Sequence, residues 1–110
     1  KTKQIHAFEY NALRQSLMAG TDGGIIESLD DGKTWTPFTT LVPPGTKPVT
    51  AIGIHPNFKE IFWMGIENQI HRTDDDGITW HYTNIPTKRF ISMIEIDPSN
   101  PKHIYAGLSQ

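Results

Sequence analysis

The sequence contains no cysteine and no large excess of either charge. Because none of its 110 residues is cysteine, disulfide bonds and thiolate metal sites are excluded. Ten Lys and Arg residues against twelve Asp and Glu residues leave a formal net charge of −2. This balance offers no basic surface of the kind that binds nucleic acid, so no nucleic-acid partner is expected.

Long hydrophobic runs are also missing. The longest, such as residues 61–64, is far shorter than the apolar stretch that crosses a bilayer, so no membrane span is expected. Residues 1–4 carry no apolar signal segment, and the compartment stays open on this ground. No segment keeps a helical period, and Pro or Gly stands at nearly every joint, which predicts an all-β fold.

An eight-residue pattern occurs twice. SLDDGKTW at 28–35 returns 45 residues later as TDDDGITW at 73–80. A short apolar segment ending in Gly precedes both copies, as LMAG at 17–20 and FWMG at 62–65, and it occurs a third time as IYAG at 104–107. The chain therefore contains two full units and the first part of a third, with a period of 42–45 residues.

Each full unit is predicted to form four short antiparallel strands joined by turns. The predicted first strands are 5–10, 50–55 and 92–97, and the second strands are 16–20, 61–66 and 104–108. The third strands are 24–28 and 69–73, and the fourth are 34–38 and 79–83. In this alignment His55 takes the same repeat position as Tyr10 and Asp97.

Four strands in a unit of this period are typical of a β-propeller blade. Residues 1–110 would form one propeller segment, with blade 1 at about 5–48, blade 2 at about 49–90 and half of blade 3 at about 91–110. A ring needs about 4–8 blades, so about two and a half cannot close one. Three arrangements remain open: part of a larger propeller, a homo-oligomer that closes the ring, or an open stack with exposed edges.

The repeated octapeptide resembles the Asp-box, or BNR repeat, Ser/Thr-x-Asp-x-Gly-x-Thr-Trp. Every fixed position is matched, by Ser28, Asp30, Gly32, Thr34 and Trp35 in the first copy and by Thr73, Asp75, Gly77, Thr79 and Trp80 in the second. Such blades occur in sialidases, xyloglucan-type glycoside hydrolases, sortilin-like receptors and photosystem II assembly factors. The segment IEIDPSNPKHIYAGLSQ is most similar to the assembly factors. The regular period also suits sortilin-like and xyloglucanase arrays better than it suits sialidases.

The resemblance implies a structural role for the box, as the hairpin between the third and fourth strands of a blade. It also favours an extracytoplasmic location, whether secreted, periplasmic or lumenal. The residue types agree with a turn, because a short Asp accepts hydrogen bonds from nearby backbone N–H groups and Gly adopts positive φ. The Ser or Thr hydroxyl adds a further bond to the backbone, and Trp supplies apolar surface for packing.

Three chemical alternatives compete with this structural role. An EF-hand needs Glu at its twelfth position, where counting from Asp30 and Asp74 gives Leu41 and Ile85. Glycoside hydrolysis needs two carboxylates, for which the candidates are Asp22, Glu27, Glu67 and Asp97, but none of Arg14, Arg72 and Arg89 lies in an Arg-Ile-Pro motif of the sialidase kind. The histidines are scattered and lack ligand spacing: His6, His55, His71, His81 and His103. We therefore assign no catalytic residue, metal or cofactor.

Antiparallel blades would place the loops on two opposite faces. The boxes share one face with the turns that follow the first strands, and the other face carries the loops 21–23, 39–48, 67–69 and 84–89. Candidate ligand-face residues in these loops are Asp22, Lys47, Glu67, Asn68, Lys88 and Arg89. The expected function is a non-catalytic scaffold that binds a protein or carbohydrate partner through these loops. The alternatives are part of a glycoside hydrolase and a self-assembling repeat protein.

Overall fold

The computed structural model describes residues 4–38 and 47–109. In this part of the chain the protein is all-β, with strands β1 Ile5–Asn11, β2 Ser16–Thr21, β3 Gly24–Ser28, β4 Thr36–Pro37, β5 Ala51–Ile54, β6 Phe62–Ile66, β7 Gln69–Thr73, β8 His81–Asn84, β9 Ile91–Ile96 and β10 Ile104–Leu108. The described ranges contain no helix that is long and apolar enough to cross a membrane.

The strands form three antiparallel sheets in which neighbours in sequence are neighbours in space. The first sheet has the order β1-β2-β3-β4, the second has the order β5-β6-β7-β8, and the third pairs β9 with β10. The prediction of an all-β fold with four-stranded antiparallel meanders is therefore confirmed. Among the described residues no sheet closes on itself.

The fourth strands begin later than predicted. β4 starts at Thr36 and β8 at His81, two residues after the predicted starts at positions 34 and 79. The reason is local, because the backbone N–H of Thr34 donates to the Asp30 carboxylate at 2.8 Å. Thr79 donates to Asp75 in the same way at 2.9 Å. These N–H groups are therefore bonded inside the turn instead of in the sheet.

The first and second sheets pack face to face through an apolar core. Because side chains alternate along a strand, one face of β6 directs Phe62, Met64 and Ile66 toward the first sheet. Together with residues from both sheets they form a buried cluster of Met18, Ile25, Val49, Ile52, Phe62, Met64 and Ile66. Burial of apolar side chains between the sheets is the main force that holds them together.

The opposite face of the second sheet packs on the third sheet. Here the buried cluster consists of Ala51, Trp63, Ile91 and Ile94, and Ile104 and several other apolar side chains pack around it. The β6 segment FWMGI is therefore buried on both faces, which explains why its sequence is continuously apolar rather than alternating.

The glycine that ends each of the first two repeated apolar segments lies against the start of the next sheet. A Cβ atom on Gly20 would lie 2.5 Å from the Val49 carbonyl oxygen, and one on Gly65 would lie 2.9 Å from Cγ2 of Ile91. Backbone hydrogen bonds hold the same connections, from Val49 N–H to the Thr21 oxygen at 3.0 Å and from Ile91 N–H to the Glu67 oxygen at 2.7 Å. The repeated glycine therefore permits close packing of successive sheets.

Strand pairing corrects one repeat equivalence. Asn11 pairs with Ser16 at the end of β1, and His55 and Asp97 occupy the same place through backbone bonds to Ile61 and His103, so Asn11 and not Tyr10 is their equivalent. All three side chains accept a backbone N–H from the following turn, from Arg14 to Asn11 at 3.2 Å, from Asn57 to His55 at 3.0 Å and from Ser99 to Asp97 at 2.9 Å. The position requires a hydrogen-bond acceptor, which is the reason that unlike residues share it.

Candidate functional site

Because consecutive strands are antiparallel, the connections of the first two sheets lie at two opposite ends. We call the end that carries 28–35 and 73–80 the turn end, and the end that carries 21–24, 47–50, 66–69 and 84–91 the loop end. The candidate residues Asp22, Lys47, Glu67, Asn68, Lys88 and Arg89 all belong to connections at the loop end. Of the predicted loop 39–48, residues 39–46 lie outside the described part of the chain.

The two candidate acids at the loop end each contact a nitrogen-bearing side chain. The Asp22 carboxylate is hydrogen-bonded to the His6 ring at 2.5 Å and accepts a hydrogen bond from the Gln4 backbone N–H at 3.4 Å. The Glu67 carboxylate pairs with the Lys47 ammonium group at 3.2 Å, with both side chains at least a third exposed. Because both side chains are partly in water, this pair contributes little to stability, about 0–1 kcal/mol. The same exposure leaves it accessible to another molecule.

The other candidate residues at the loop end include two that stabilise its backbone. The Asn68 side-chain amide donates to the carbonyl oxygens of Ile85 and Thr87, both at 2.9 Å. The Arg89 guanidinium donates to the Ser109 carbonyl oxygen at 2.6 Å, and Lys88 is exposed. The loop end therefore presents charges of both signs on a backbone that side chains hold in place.

The four candidate glycosidase acids have separate local partners. Asp22 and Glu67 lie at the loop end with the partners just described, whereas Glu27 binds Arg14 and Asp97 accepts bonds from Ser99. The hydrogen bonds from Ser99 hold the pKa of Asp97 below its ordinary value. These contacts account for each carboxylate as a structural acceptor or as one half of an ion pair.

The turn 28–35 is closed by a network of its own side chains. The Ser28 hydroxyl donates to Asp30 and accepts the Gly32 N–H, both at 2.8 Å. The Asp30 carboxylate also accepts the Thr34 hydroxyl at 2.6 Å, and the Trp35 indole N–H donates to the Gly32 oxygen at 3.1 Å. Asp31 and Gly32 both have positive φ, 61° and 89°, conformations that Asp tolerates and Gly favours.

The turn 73–80 repeats this network atom for atom. Thr73 donates to Asp75 and accepts the Gly77 N–H at 2.8 Å, Thr79 Oγ1 donates to Asp75 at 2.6 Å, and Trp80 donates to the Gly77 oxygen at 3.0 Å. Hydrogen bonds from the Thr34 and Thr79 hydroxyl and backbone groups lower the pKa of Asp30 and of Asp75 from 3.8 to about 2. Both carboxylates are therefore ionised acceptors engaged inside their turns.

Acid is expected to weaken the fold through these two turns. A carboxyl group with a lowered folded-state pKa contributes stability that is fully present above its unfolded pKa and is lost as the pH falls through its folded pKa. For Asp30 and Asp75 this window runs from 3.8 down to about 2. We expect Asp75→Asn to lower the melting temperature at pH 7 and to flatten its pH dependence within this window, as measured by thermal unfolding at several pH values.

Asp74→Asn is the matched control for that measurement. Asp74 is the neighbouring residue, is exposed, and its carboxylate pairs with the Arg72 guanidinium at 2.7 Å outside the turn network. It should change the melting temperature much less than Asp75→Asn. Equal pH profiles for wild type and Asp75→Asn would contradict the role assigned to the turn.

Arg14 joins the first two sheets at the turn end, a role that sequence reasoning missed. Its guanidinium binds the Glu27 carboxylate through Nε at 2.7 Å and Nη2 at 3.2 Å. It also binds Asp76 in the turn 73–80, which we call the second acidic turn, the turn 28–35 being the first. The same group lies 5.0 Å from the centroid of the Phe38 ring. The sequence signal was the position of Arg14 in the turn after β1, but its partner Asp76 is 62 residues away.

The histidines occupy separate environments. His55 stacks on Trp63 with ring centroids 6.1 Å apart, and His71 stacks on Tyr82 at 5.4 Å. Burial lowers the pKa of both imidazoles, which favours the neutral form. In residues 4–38 and 47–109, no group of three or more His, Cys, Asp or Glu side chains is arranged to hold a metal ion.

In comparisons with known proteins, no family model matches this chain and no curated protein matches it.

Proposed function

We propose that this chain is a segment of an Asp-box β-propeller that acts as a non-catalytic scaffold. In this proposal the first and second sheets are blades and the third is half of one. The loop end, in particular Asp22, Lys47, Glu67, Asn68, Lys88 and Arg89, binds a protein or carbohydrate partner outside the cytoplasm. The repeated sequence and the geometry of the two turns support this assignment.

The proposal rests on one contrast between the two ends: polar groups are hydrogen-bonded within the turns at the turn end, whereas they are accessible to solvent at the loop end. At the turn end, the repeated pattern of both copies is occupied by internal hydrogen bonds, so Asp30 and Asp75 serve the turns themselves. At the loop end, Lys47 is exposed, Glu67 is partly exposed, and the two are only weakly paired. Partner binding is favoured where polar groups are both accessible and held on a rigid backbone.

Charge reversal at the two ends tests this proposal. The labelled 110-residue chain would be applied to an array of neutral and acidic glycans, alongside Lys47→Glu/Lys88→Glu at the loop end and Lys59→Glu/Lys102→Glu at the turn end. All four lysines are exposed, so the two variants are matched in charge. We expect the loop-end variant to lose bound signal by at least about tenfold, the effect of roughly 1.4 kcal/mol, and the turn-end variant to retain it.

A protein partner is tested by photo-crosslinking from position 88 or position 59 in an extract of the source. A partner that crosslinks from 88 and not from 59 supports binding at the loop end. Equal crosslinking from both positions would contradict it. Turnover of a glycoside that is lost in Glu67→Gln or Asp22→Asn would replace the scaffold with an enzyme.

A further inference from the structure

A concavity lies between the second and third sheets, where the third sheet has two strands in the described part of the chain and the second has four. It has a volume of about 300 Å³ and is lined by Trp63, Ile70, Arg72, His81, Thr83 and Ile104. The edge of β10 that faces away from β9 has no strand partner among the described residues. A free edge and an adjacent apolar concavity are the two elements needed for β-strand addition.

The interface between the first and second sheets, which we call the first interface, shows what fills the equivalent space there. Strand pairing makes Trp63 and Ile70 the equivalents of Met18 and Ile25, because Trp63 lies opposite Arg72 as Met18 lies opposite Glu27. Met18 and Ile25 belong to the buried cluster against which Trp80 packs. In the first interface, Trp80 of the second acidic turn thus covers Met18 and Ile25. Their equivalents Trp63 and Ile70 line the open concavity between the second and third sheets.

Two further lining residues complete this equivalence. Thr83 corresponds to Phe38, since Thr83 pairs with Ile70 as the Phe38 N–H bonds the Ile25 oxygen. Ile104, at the start of β10, corresponds to Phe62, on which the Trp80 ring stands edge-on with centroids 5.6 Å apart. Trp63 is larger than its equivalent Met18, but Thr83 is smaller than its equivalent Phe38. The two differences in side-chain volume offset each other, so room for an aromatic ring remains.

We propose that this groove binds a β-hairpin built like β7–β8, with an acidic turn and a following tryptophan. The first strand of the hairpin pairs with the free edge of β10, in the order seen for β6 and β7, and its indole enters the concavity between Trp63, Ile70 and Ile104. The Arg72 guanidinium, 5.2 Å from the centroid of the Trp63 ring, borders the place where the hairpin turn begins. This site lies on a sheet face and is independent of the partner proposed for the loop end.

A synthetic peptide of residues 69–84 is the probe for this site, because it contains β7, the acidic turn and β8. Fluorescence anisotropy would follow the binding of the labelled peptide to the full 110-residue chain. We expect saturable binding, weak because an isolated hairpin is poorly ordered in water. A Trp80→Ala peptide should bind about 30-fold more weakly, the loss typical of a buried aromatic anchor.

Two protein variants locate the binding. Thr83→Lys places a long charged side chain at the concavity, whereas Tyr82→Lys places the same group on the opposite face of β8. Both residues are exposed on an edge strand, and circular dichroism would establish that both variants keep the wild-type fold. We expect Thr83→Lys to abolish peptide binding and Tyr82→Lys to leave it within about threefold of wild type, under 1 kcal/mol.

Several outcomes would overturn the proposal. These are no saturable binding at millimolar peptide, equal affinity for the Trp80→Ala peptide, and unchanged binding by Thr83→Lys. Self-association of the chain without peptide, if lost in Thr83→Lys, would assign the groove to a second copy instead. Because the glycan and crosslinking experiments address the loop end, their failure would leave this result unaffected, and the reverse also holds.

Discussion

Phe62→Ala is expected to lower the free energy of unfolding by about 3–5 kcal/mol, the usual cost of removing a fully buried aromatic ring. The Phe62 side chain has no exposed surface. Its ring centroid lies 5.3 Å from that of Phe38 and 5.6 Å from that of Trp80. The substitution therefore leaves a cavity between the first and second sheets that neighbouring side chains fill only in part. Urea denaturation followed by circular dichroism measures the loss.

Phe58→Ala is the matched control, because it removes the same ring from a residue that is 52% exposed. The Phe58 ring packs against the His55 ring in a tilted arrangement with centroids 5.3 Å apart, so a loss of less than about 1 kcal/mol is expected. If both substitutions lowered stability equally, the first interface would not be the stabilising core described above. A small domain has about 5–15 kcal/mol of stability in total, so Phe62→Ala removes a large part of it.

Arg14→Met is expected to destabilise the protein by about 2–4 kcal/mol at pH 7. It keeps most of the side-chain length but leaves the Glu27 carboxylate, 9% exposed, without its cation and hydrogen bonds. Removing one partner of a buried ion pair leaves an uncompensated charge, which costs more than the pair contributes. We expect slightly less than the roughly 3–5 kcal/mol that breaking a fully buried ion pair costs, because the Arg14 side chain is 18% exposed. Urea denaturation again measures it.

The pH dependence distinguishes this mechanism from a loss of packing. Burial alone would raise the pKa of Glu27, but hydrogen bonds from Arg14 and Ser16 together with the charge of Arg14 hold it below 4.5. In wild type the contribution of Glu27 is therefore present above pH 4.5 and lost as the pH falls through the lowered pKa. In Arg14→Met burial remains and the pKa rises, so stability is lost as the pH increases above 4.5. The variant should approach wild type as the solution is acidified toward pH 4.5.

A double variant, Arg14→Met/Glu27→Gln, provides the control. The amide introduced at position 27 would carry no charge to be left unpaired, so we expect the double variant to recover a substantial part of the stability that Arg14→Met loses at pH 7. The part of the pH dependence near 4.5 that comes from Glu27 should also disappear, since that titrating group is gone. A double variant as unstable as the single one would place the effect in the lost contact with Asp76 or with Phe38 instead.

These contacts bear on how the loop end is held. Arg14 links the first sheet to the second acidic turn, and Phe62 lies in the core between the same sheets. Both therefore fix the relative position of the connections that carry the candidate residues. If the proposed partner site at the loop end spans two sheets, weakening either contact should weaken binding without touching a binding residue.

The strands were predictable because their signals are local. The bounds of β3, β7 and β10 agree with the prediction, and those of β1, β2 and β6 differ by one residue. Alternation and turn-forming residues within a few positions determine these elements. The fourth strands were predicted too early because Thr34 and Thr79 suit a strand by type, whereas Asp30 and Asp75 bind their N–H groups in the turn.

The position of the six candidate residues in the fold was predictable, but their contacts were not. Sequence reasoning put the six candidate residues in connections at one end, and the strand order places those connections there. It did not foresee that Lys47 pairs with Glu67 or that Asn68 binds the backbone of Thr87. Such pairs are 19 or 20 residues apart, and no local pattern records which loops meet.

The amino-acid sequence by itself determined the strands, the repeat and the two acidic turns, because each depends on residues within about one turn or strand of one another. Tertiary structure alone decided that Arg14 binds Asp76, that both faces of β6 are buried, and that Trp63, Ile70 and Ile104 border an open groove. The physical reason is that sheet packing brings together side chains far apart in sequence. Their burial and charge pairing exist only once the sheets are in contact.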